Sequence, residues 1–495
     1  MGPEPRENRA AWHWCRSAWT LVLVIPQLKY GSAFAPPAMF PALTVTRRFA
    51  PPRGRGLHRH RCAMSGREKE GRQSSRPAPS EGLLGRGKER FSLAPMMAYT
   101  DKHMRYLLRL MSRRTVLWTE MIAANTLVYA PEKVERFLGY NSEAEHPVVL
   151  QIGGSDVSDV REACRVARPY GYDAVNLNCG CPSEKVAGQG CFGAALMLEP
   201  RLVGDLCAGM REGLGGGDDT DMPVTVKCRI GVDDADSYDQ LEAFVDEVHA
   251  RGGVTHFIIH ARKAILGGLS PEDNRRIPPL KYEFVYRLVR RFPHLYFTLN
   301  GGVNTYAEAL ECLEQGVQGV MVGRALAGKP WYWSQVDSRI YGEQDPGLSR
   351  REVLDLYGRY AEEEEAKAGP EWLRSRRRIL KPVYSLFAGE VNGKAFRRVL
   401  KESERQERPF RSLMEDALRV MPAAQVDSLP GEGPPFEDEP RPRPAWDSSS
   451  PEPPGLRTTS DDGRPSHVFQ WPRGSGLGGP KSAAPARELE ACGEL

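Results

Sequence analysis

Residues 91–324 alternate short apolar, β-rich runs with stretches of helical hydrophobic period, separated by polar or glycine-containing turns. The β-rich runs fall at 91–96, 116–121, 148–153, 174–178, 224–228, 256–260, 296–300 and 319–323. Segments such as 156–167, 238–250, 282–291 and 305–315 lie between them, long enough to cross over between parallel strands. This alternation predicts an α/β fold, with a parallel sheet and helices outside it. Eight such units in roughly 250 residues match a closed (β/α)8 TIM barrel, with an open doubly wound sheet as the alternative. The first turn, 98–102, lacks the Gly-x-Gly-x-x-Gly pattern of a dinucleotide fold.

Beyond the barrel, 348–418 is helical in pattern, and the acidic stretch 361–366 is expected on a solvated face. The resulting division is a barrel over 88–343, a small all-α domain over 344–420, and two extensions. No Asp or Glu occurs between Glu7 and Glu68, and the last seventy or so residues are rich in Pro, Gly, Ser, Asp and Arg without apolar periodicity. Residues 1–87 and 421–495 are therefore expected to be disordered. Arg6, Arg9 and Arg16 precede the apolar stretch 18–25, which is too short to cross a bilayer but adequate as a secretory h-region. A small-residue site before Phe34 and a basic, acid-free segment follow. Together they resemble a bipartite plastid presequence, with a simple mitochondrial or chloroplast transit peptide as the alternative.

The net charge of +4 says nothing about nucleic-acid binding, so RNA-facing charge has to be local. The ten cysteines show no zinc-like pairing and no disulfide-scaffold pattern, which fits a reducing compartment.

In a barrel, chemistry sits at the carboxyl ends of the strands. Pro95-Met96-Met97, Glu120, Gln151, Asn178-Cys179-Gly180-Cys181-Pro182, Lys227-Cys228-Arg229, His260-Ala261-Arg262, Asn300-Gly301-Gly302 and Gly323-Arg324 stand there. The glycine turns after the seventh and eighth runs, with Arg324, occupy the usual phosphate position of a barrel. A single phosphate suggests FMN or a sugar phosphate; each glycine pair alone could be only a tight turn. Lys227, Gln151 and His260 could supply the donors and amides that a flavin ring needs, or be a surface charge and structural polar groups. Cys179 and Cys181 are two apart, so they are not a Cys-x-x-Cys redox pair, but a thiol beside a flavin can act as a general acid.

These motifs, with Trp118-Thr-Glu-Met121, Val226-Lys-Cys-Arg-Ile-Gly231, Gly268-Leu-Ser-Pro271 and Ile277-Pro-Pro-Leu280, resemble the tRNA-dihydrouridine synthase family, specifically its bacterial A-type branch. The resemblance runs over 91–398. It implies that Cys181 is the acid. It also implies that Pro95, Met96, Met97, Gln151, Lys227, His260, Asn300, Gly301, Gly302, Gly323 and Arg324 bind FMN. Asn178 and Arg275 would hold substrate tRNA, while Glu272 stands where the branch commonly has Lys. The basic series Arg374, Arg376, Arg377, Arg378, Lys381, Lys394, Arg397, Arg398 and Lys401 coincides with the family's tRNA-clasping domain. Phe396 replaces a usual Trp, and Lys381-Pro382 a usual Arg-His. The implied reaction reduces a D-loop uridine at positions 20 and 20a, with NADPH as reductant, no metal, and a monomeric enzyme. An FMN barrel dehydrogenase acting on a free pyrimidine, and a non-catalytic tRNA-binding protein, are the rivals.

Overall fold

The computed structural model describes residues 89–183, 186, 192–216 and 222–432. The predicted presequence over 1–87 and most of the predicted tail lie outside them. Eight parallel strands form the centre: β1 (Phe91–Leu93), β2 (Leu117–Ala123), β3 (Val148–Gly153), β4 (Ala174–Cys179), β5 (Val224–Arg229), β6 (His256–His260), β7 (Tyr296–Asn300) and β8 (Gly319–Val322). They pair in the order β1-β8-β7-β6-β5-β4-β3-β2. A parallel bridge between Ser92 and Val116, with Leu93 N–H on Val116 O and Val116 N–H on Phe91 O, joins β1 to the start of β2 and closes the ring. The (β/α)8 reading of the sequence holds, and the open sheet is excluded. β1 is shorter than expected, ending at Leu93 rather than at 96, because Pro95 has no N–H to donate to a ladder.

Period-2 alternation sorts each strand between two cores. Val175, Leu177 and Cys179 of β4 join the large outer cluster with the helices, as do Val226 and Cys228 of β5. Ala94, Val116, Trp118, Val149, Ala174, Ile258 and Met321 form a separate cluster inside the ring. The crossover helices start where side chains satisfy their free N–H groups. Asp101 accepts from His103 and Met104 N–H ahead of Lys102–Met111, and Ser237 with Gln240 forms a capping box ahead of Tyr238–Gly252.

The helical domain comprises Arg350–Ala368, Trp372–Val383, Gly393–Ser403 and Phe410–Leu418. It runs a little past the predicted boundary at 420: Ala423–Asp427 is helical and buries Val426, and Asp427 pairs with Arg351. The helix Lys102–Met111 docks it on the barrel. Tyr106 stacks on Tyr360 at 4.0 Å, His103 Nδ1 lies 2.8 Å from Tyr360 Oη, and Lys102 pairs with Glu364. The stacked pair contributes about 1 kcal/mol beyond its buried area.

The acidic stretch 361–366 is only partly the solvated face expected of it: Glu363 and Ala366 are exposed, but Ala361 and Glu364 are buried. Glu364 is buried against Lys102, Glu362 pairs with Arg411, and Glu365 pairs with Arg376. Arg376 is correspondingly buried, its guanidinium also donating to the carbonyls of Gln406 and Arg408. It therefore leaves the set of RNA-facing arginines. Buried ion pairs of this kind are costly to break, about 3–5 kcal/mol when one partner is removed.

Candidate active site

The same alternation decides which polar groups reach the mouth. With Ala174 and Asn176 facing inward, Asn178 does too, and Gln151, Lys227, His260 and Asn300 follow the inward parity of their own strands. Register places Asn178 beside Lys227, Arg229 beside His260, and His260 beside Asn300.

A chain of amides links these strands. Gln151 Nε2 donates to Asn176 Oδ1 (2.8 Å), and Asn176 Nδ2 donates to Thr225 Oγ1 (2.8 Å). Asn178 Nδ2 donates to Gln151 Oε1 (2.9 Å), which orients Asn178 so that its Oδ1 accepts the N–H groups of Gly180 (3.1 Å) and Cys181 (3.0 Å). Asn178, predicted to hold RNA, thus also holds the Cys181 loop. From below, Arg229 Nε donates to Gly180 O (2.9 Å), while its Nη1 donates to Lys263 O (3.0 Å) and Asn274 O (2.9 Å). Arg229 therefore ties the thiol loop to the turn Asp273–Arg275. The sequence carried its signal, two residues after Lys227 on the same face of β5, yet Arg229 drew no role from its position alone.

The two cysteines separate cleanly. Cys179 is fully buried on the outer face of β4, whereas Cys181 is partly exposed. Burial pushes the Cys181 thiol up, and the Ser183 N–H, Arg229, Arg275 and Lys227 oppose this without reversing it. Cys181 is consequently a neutral thiol flanked by cations: it has a proton to give, and its thiolate would find compensating charge.

The mouth is electropositive. Burial pushes Lys227 down to about 8, with Arg229 adding to the shift, and pushes Arg229 down to about 10. Burial, followed by Arg229, Lys227, Arg262 and Arg324, holds His260 neutral. His260 Nδ1 is buried and has no hydrogen-bond partner among the described residues. Arg324 Nη2 (2.9 Å) and Arg262 Nε (3.1 Å) both donate to Arg275 O, drawing three guanidinium groups together.

Gly301 (φ +107°) and Gly302 (φ +78°) form the turn after β7. A Cβ at Gly302 would lie 2.4 Å from Leu280 Cδ1, and one at Gly301 3.1 Å from His260 Nε2, so only glycine leaves this backbone bare for an anion. Asn300 is predicted in the same cofactor set; its side chain ties β7 to β8 through Nδ2 on Met321 O (2.8 Å). Gly323 brings the loops after β8 and β1 together, since a Cβ there would meet Ala94 Cβ at 3.2 Å and Met96 Sδ at 3.3 Å. The cations, the uncharged imidazole with a free nitrogen and the bare glycine turn suit a planar cofactor bearing a phosphate.

Arg397 and Arg398 belong to a second cluster, on the helix Gly393–Ser403, where they line a shallow depression with Lys394, Lys401 and Glu402. Arg397 Nε donates to Tyr384 O (3.2 Å), and Arg398 is 73% exposed. Lys381 lies between this cluster and the mouth in sequence, its Nζ 4.5 Å from the ring centre of Tyr99 on the loop after β1.

A barrel with a protonated thiol and an anion-seeking cationic mouth at the carboxyl ends of its strands defines a TIM-barrel protein with a cofactor-type site at its mouth. Its family is specific: the chain belongs to the dihydrouridine synthases, whose family model, "Dihydrouridine synthase (Dus)", matches residues 92–421. It is 42% identical over 333 residues to the tRNA-dihydrouridine(20/20a) synthase of Vibrio vulnificus (strain CMCP6), covering 67% of this chain and 97% of the relative. The enzyme of the same name from Escherichia coli (strain K12) is 42% identical over 332 residues, covering 67% and 91%. That from Vibrio cholerae serotype O1 is 41% identical over 337 residues, covering 68% and 98%.

Proposed function

We propose that this chain is a flavin-dependent tRNA-dihydrouridine synthase that reduces the C5–C6 double bond of D-loop uridine at positions 20 and 20a. The observation that carries the reading is the neutral Cys181 thiol, held by Asn178 and Arg229 at a cationic barrel mouth. Relatives aligned with two thirds of the chain are named tRNA-dihydrouridine(20/20a) synthases.

FMN is the cofactor that this mouth suits. Lys227, His260 and Gln151 would face its ring; Pro95, Met96 and Met97 would line its edge; Asn300, Gly301, Gly302, Gly323 and Arg324 would take its phosphate. When bound and reduced by NADPH, FMN supplies the hydride that uracil C6 receives. Cys181 Sγ gives its proton to C5, and Arg229, Arg275 and Lys227 offset the charge left on sulfur. Arg275, exposed at the rim with its carbonyl clamped by Arg262 and Arg324, would meet the splayed-out nucleotide. The exposed Lys394, Arg397, Arg398 and Lys401 would take tRNA phosphates.

The deciding experiment maps dihydrouridine in tRNA after incubation of unmodified transcripts with the purified protein, FMN and NADPH. New dihydrouridine at 20 and 20a is expected. Faster turnover of free uracil or dihydroorotate than of tRNA would instead establish the free-pyrimidine dehydrogenase. The plastid destination is proposed from the leader alone, and import of residues 1–87 fused to a fluorescent protein tests it. A monomer is expected on light scattering.

A further inference from the structure

Three non-glycine residues among those described have positive φ: Ala98, Asp233 and Asn392. Asp and Asn reach that region through local side-chain hydrogen bonds, but alanine has none to offer, so its surroundings must hold it there. Ala98 (φ +61°) sits at the tip of the loop after β1, directly after the predicted flavin contacts Pro95 to Met97. The base of this loop is closed by Tyr99 and Thr100 N–H on Met96 O (both 3.0 Å) and by Met96 N–H on Thr100 Oγ1 (3.0 Å). Its far end is tied by Arg105 Nη1 to Thr100 O (2.9 Å). The tip has another tie: Ala98 N–H donates to Glu120 Oε1, at the end of β2.

One side of this loop abuts the glycine turn after β8, through Met96 and Gly323. The other presents Tyr99 to Lys381 of the helix Trp372–Val383. The Glu120 carboxylate lies beneath, facing Arg105 from the barrel and Arg378 and Lys381 from the helical domain. We infer that Glu120 is a positioning residue of the flavin site: by accepting the Ala98 N–H it holds the loop in its left-handed turn, as a fixed wall between the cofactor and the RNA-facing helices. This rests on the flavin reading proposed above.

The test uses the full chain as wild type, Glu120→Ala, Glu120→Gln, and Glu120→Ala combined with Ala98→Gly. Two quantities are measured: the FMN Kd by fluorescence quenching, and amide hydrogen exchange at residues 98–100 in the flavin-free protein. Glu120→Ala is expected to raise the FMN Kd about tenfold and to expose the Ala98 amide to exchange. Glu120→Gln keeps an acceptor oxygen and should stay within about threefold of wild type. The double variant should also return to within about threefold, because glycine adopts the turn without a brace. An unchanged Kd in Glu120→Ala, or a folded double variant as weak as Glu120→Ala, overturns the inference. If Glu120→Ala does not fold, the double variant decides; failure of both to fold makes Glu120 a general fold residue and overturns it too. A wild-type protein that retains no FMN refutes the flavin reading, while exchange at Ala98 still judges the brace.

Discussion

Asn178 Oδ1 lies 3.0 Å from the backbone nitrogen of Cys181 and 3.1 Å from that of Gly180, so an amide on the inner face of β4 sets where the Cys181 loop begins. Gln151 in turn fixes which way that amide points. Each neutral hydrogen bond contributes only about 1 kcal/mol, but both act on the placement of one proton donor. Asn178→Ala is therefore expected to keep flavin and fold while lowering the single-turnover rate of tRNA reduction about 10- to 100-fold, with the tRNA KM changed much less. Rapid-quench kinetics with saturating tRNA checks this. An equal rise in KM with an unchanged rate would place Asn178 in RNA binding instead.

The two neighbouring thiols make an internal control. Cys181→Ala should retain yellow flavin and its reduction by NADPH, and lose at least about 100-fold in dihydrouridine formation, the usual contribution of a general acid. Cys179 is wholly buried among the outer-face residues of β4, and burial pushes its thiol far above the ordinary range. Cys179→Ala should cost on the order of 1 kcal/mol of stability and leave the rate within about threefold. Mass-spectrometric dihydrouridine yield, read beside a thermal melt, separates the two.

Much of this was visible in the chain before folding. Strand bodies announce themselves by β-branched apolar runs, and once a barrel is inferred the rule that chemistry lies at strand ends selects Gln151, Asn178, Lys227, His260 and Asn300. What periodicity cannot convey is how a polar side chain spends its hydrogen bonds. Asn178 and Asn300 look like ligand contacts in sequence, and in the fold each also binds backbone, one accepting the Cys181 N–H and the other donating to Met321 O. Arg229 and Glu120 were visible at strand ends without a role, because their partners, Gly180 and Ala98, lie on loops after other strands. Arg376 reads as one of a basic series; only the packing of two helices shows that Glu365 neutralises it.

Lys227 gives the site a pH dependence of definite sign. Burial pushes it down to about 8 from an ordinary 10.5, so in the flavin-free protein its charge is lost as pH rises through about 8. The affinity for anionic FMN should fall over that range, and Lys227→Met should bind weakly at every pH with a flatter profile. Fluorescence titration between about pH 6.5 and 9.5 tests this. Between its folded and unfolded pKa values, Lys227 binds fewer protons folded than unfolded. Its contribution to the stability of the flavin-free protein therefore becomes more favourable from about pH 8 to 10.5. Cys181, pushed upward, keeps its proton as Lys227 loses charge, so the alkaline fall in FMN affinity should vanish with the lysine and not with the thiol.

The second basic cluster calls for a different signature, because in the proposed reading it would act on binding and not on chemistry. Arg397 and Arg398 are exposed on one helix, and Arg398 approaches Glu402 only loosely, at 3.9 Å. Such charges cost little to present to solvent and are free to meet phosphates. Arg397→Glu with Arg398→Glu should leave NADPH-driven flavin reduction and the melting temperature near wild type, since neither residue is buried. The tRNA KM should rise at least about tenfold. Removing two phosphate contacts should also flatten the plot of log affinity against log salt by about 1.4 to 1.8 in slope. Filter binding over a salt series gives both values at once. A weakened but equally steep plot would mean that the two arginines shape the helix Gly393–Ser403, and that the RNA backbone is held elsewhere on the domain.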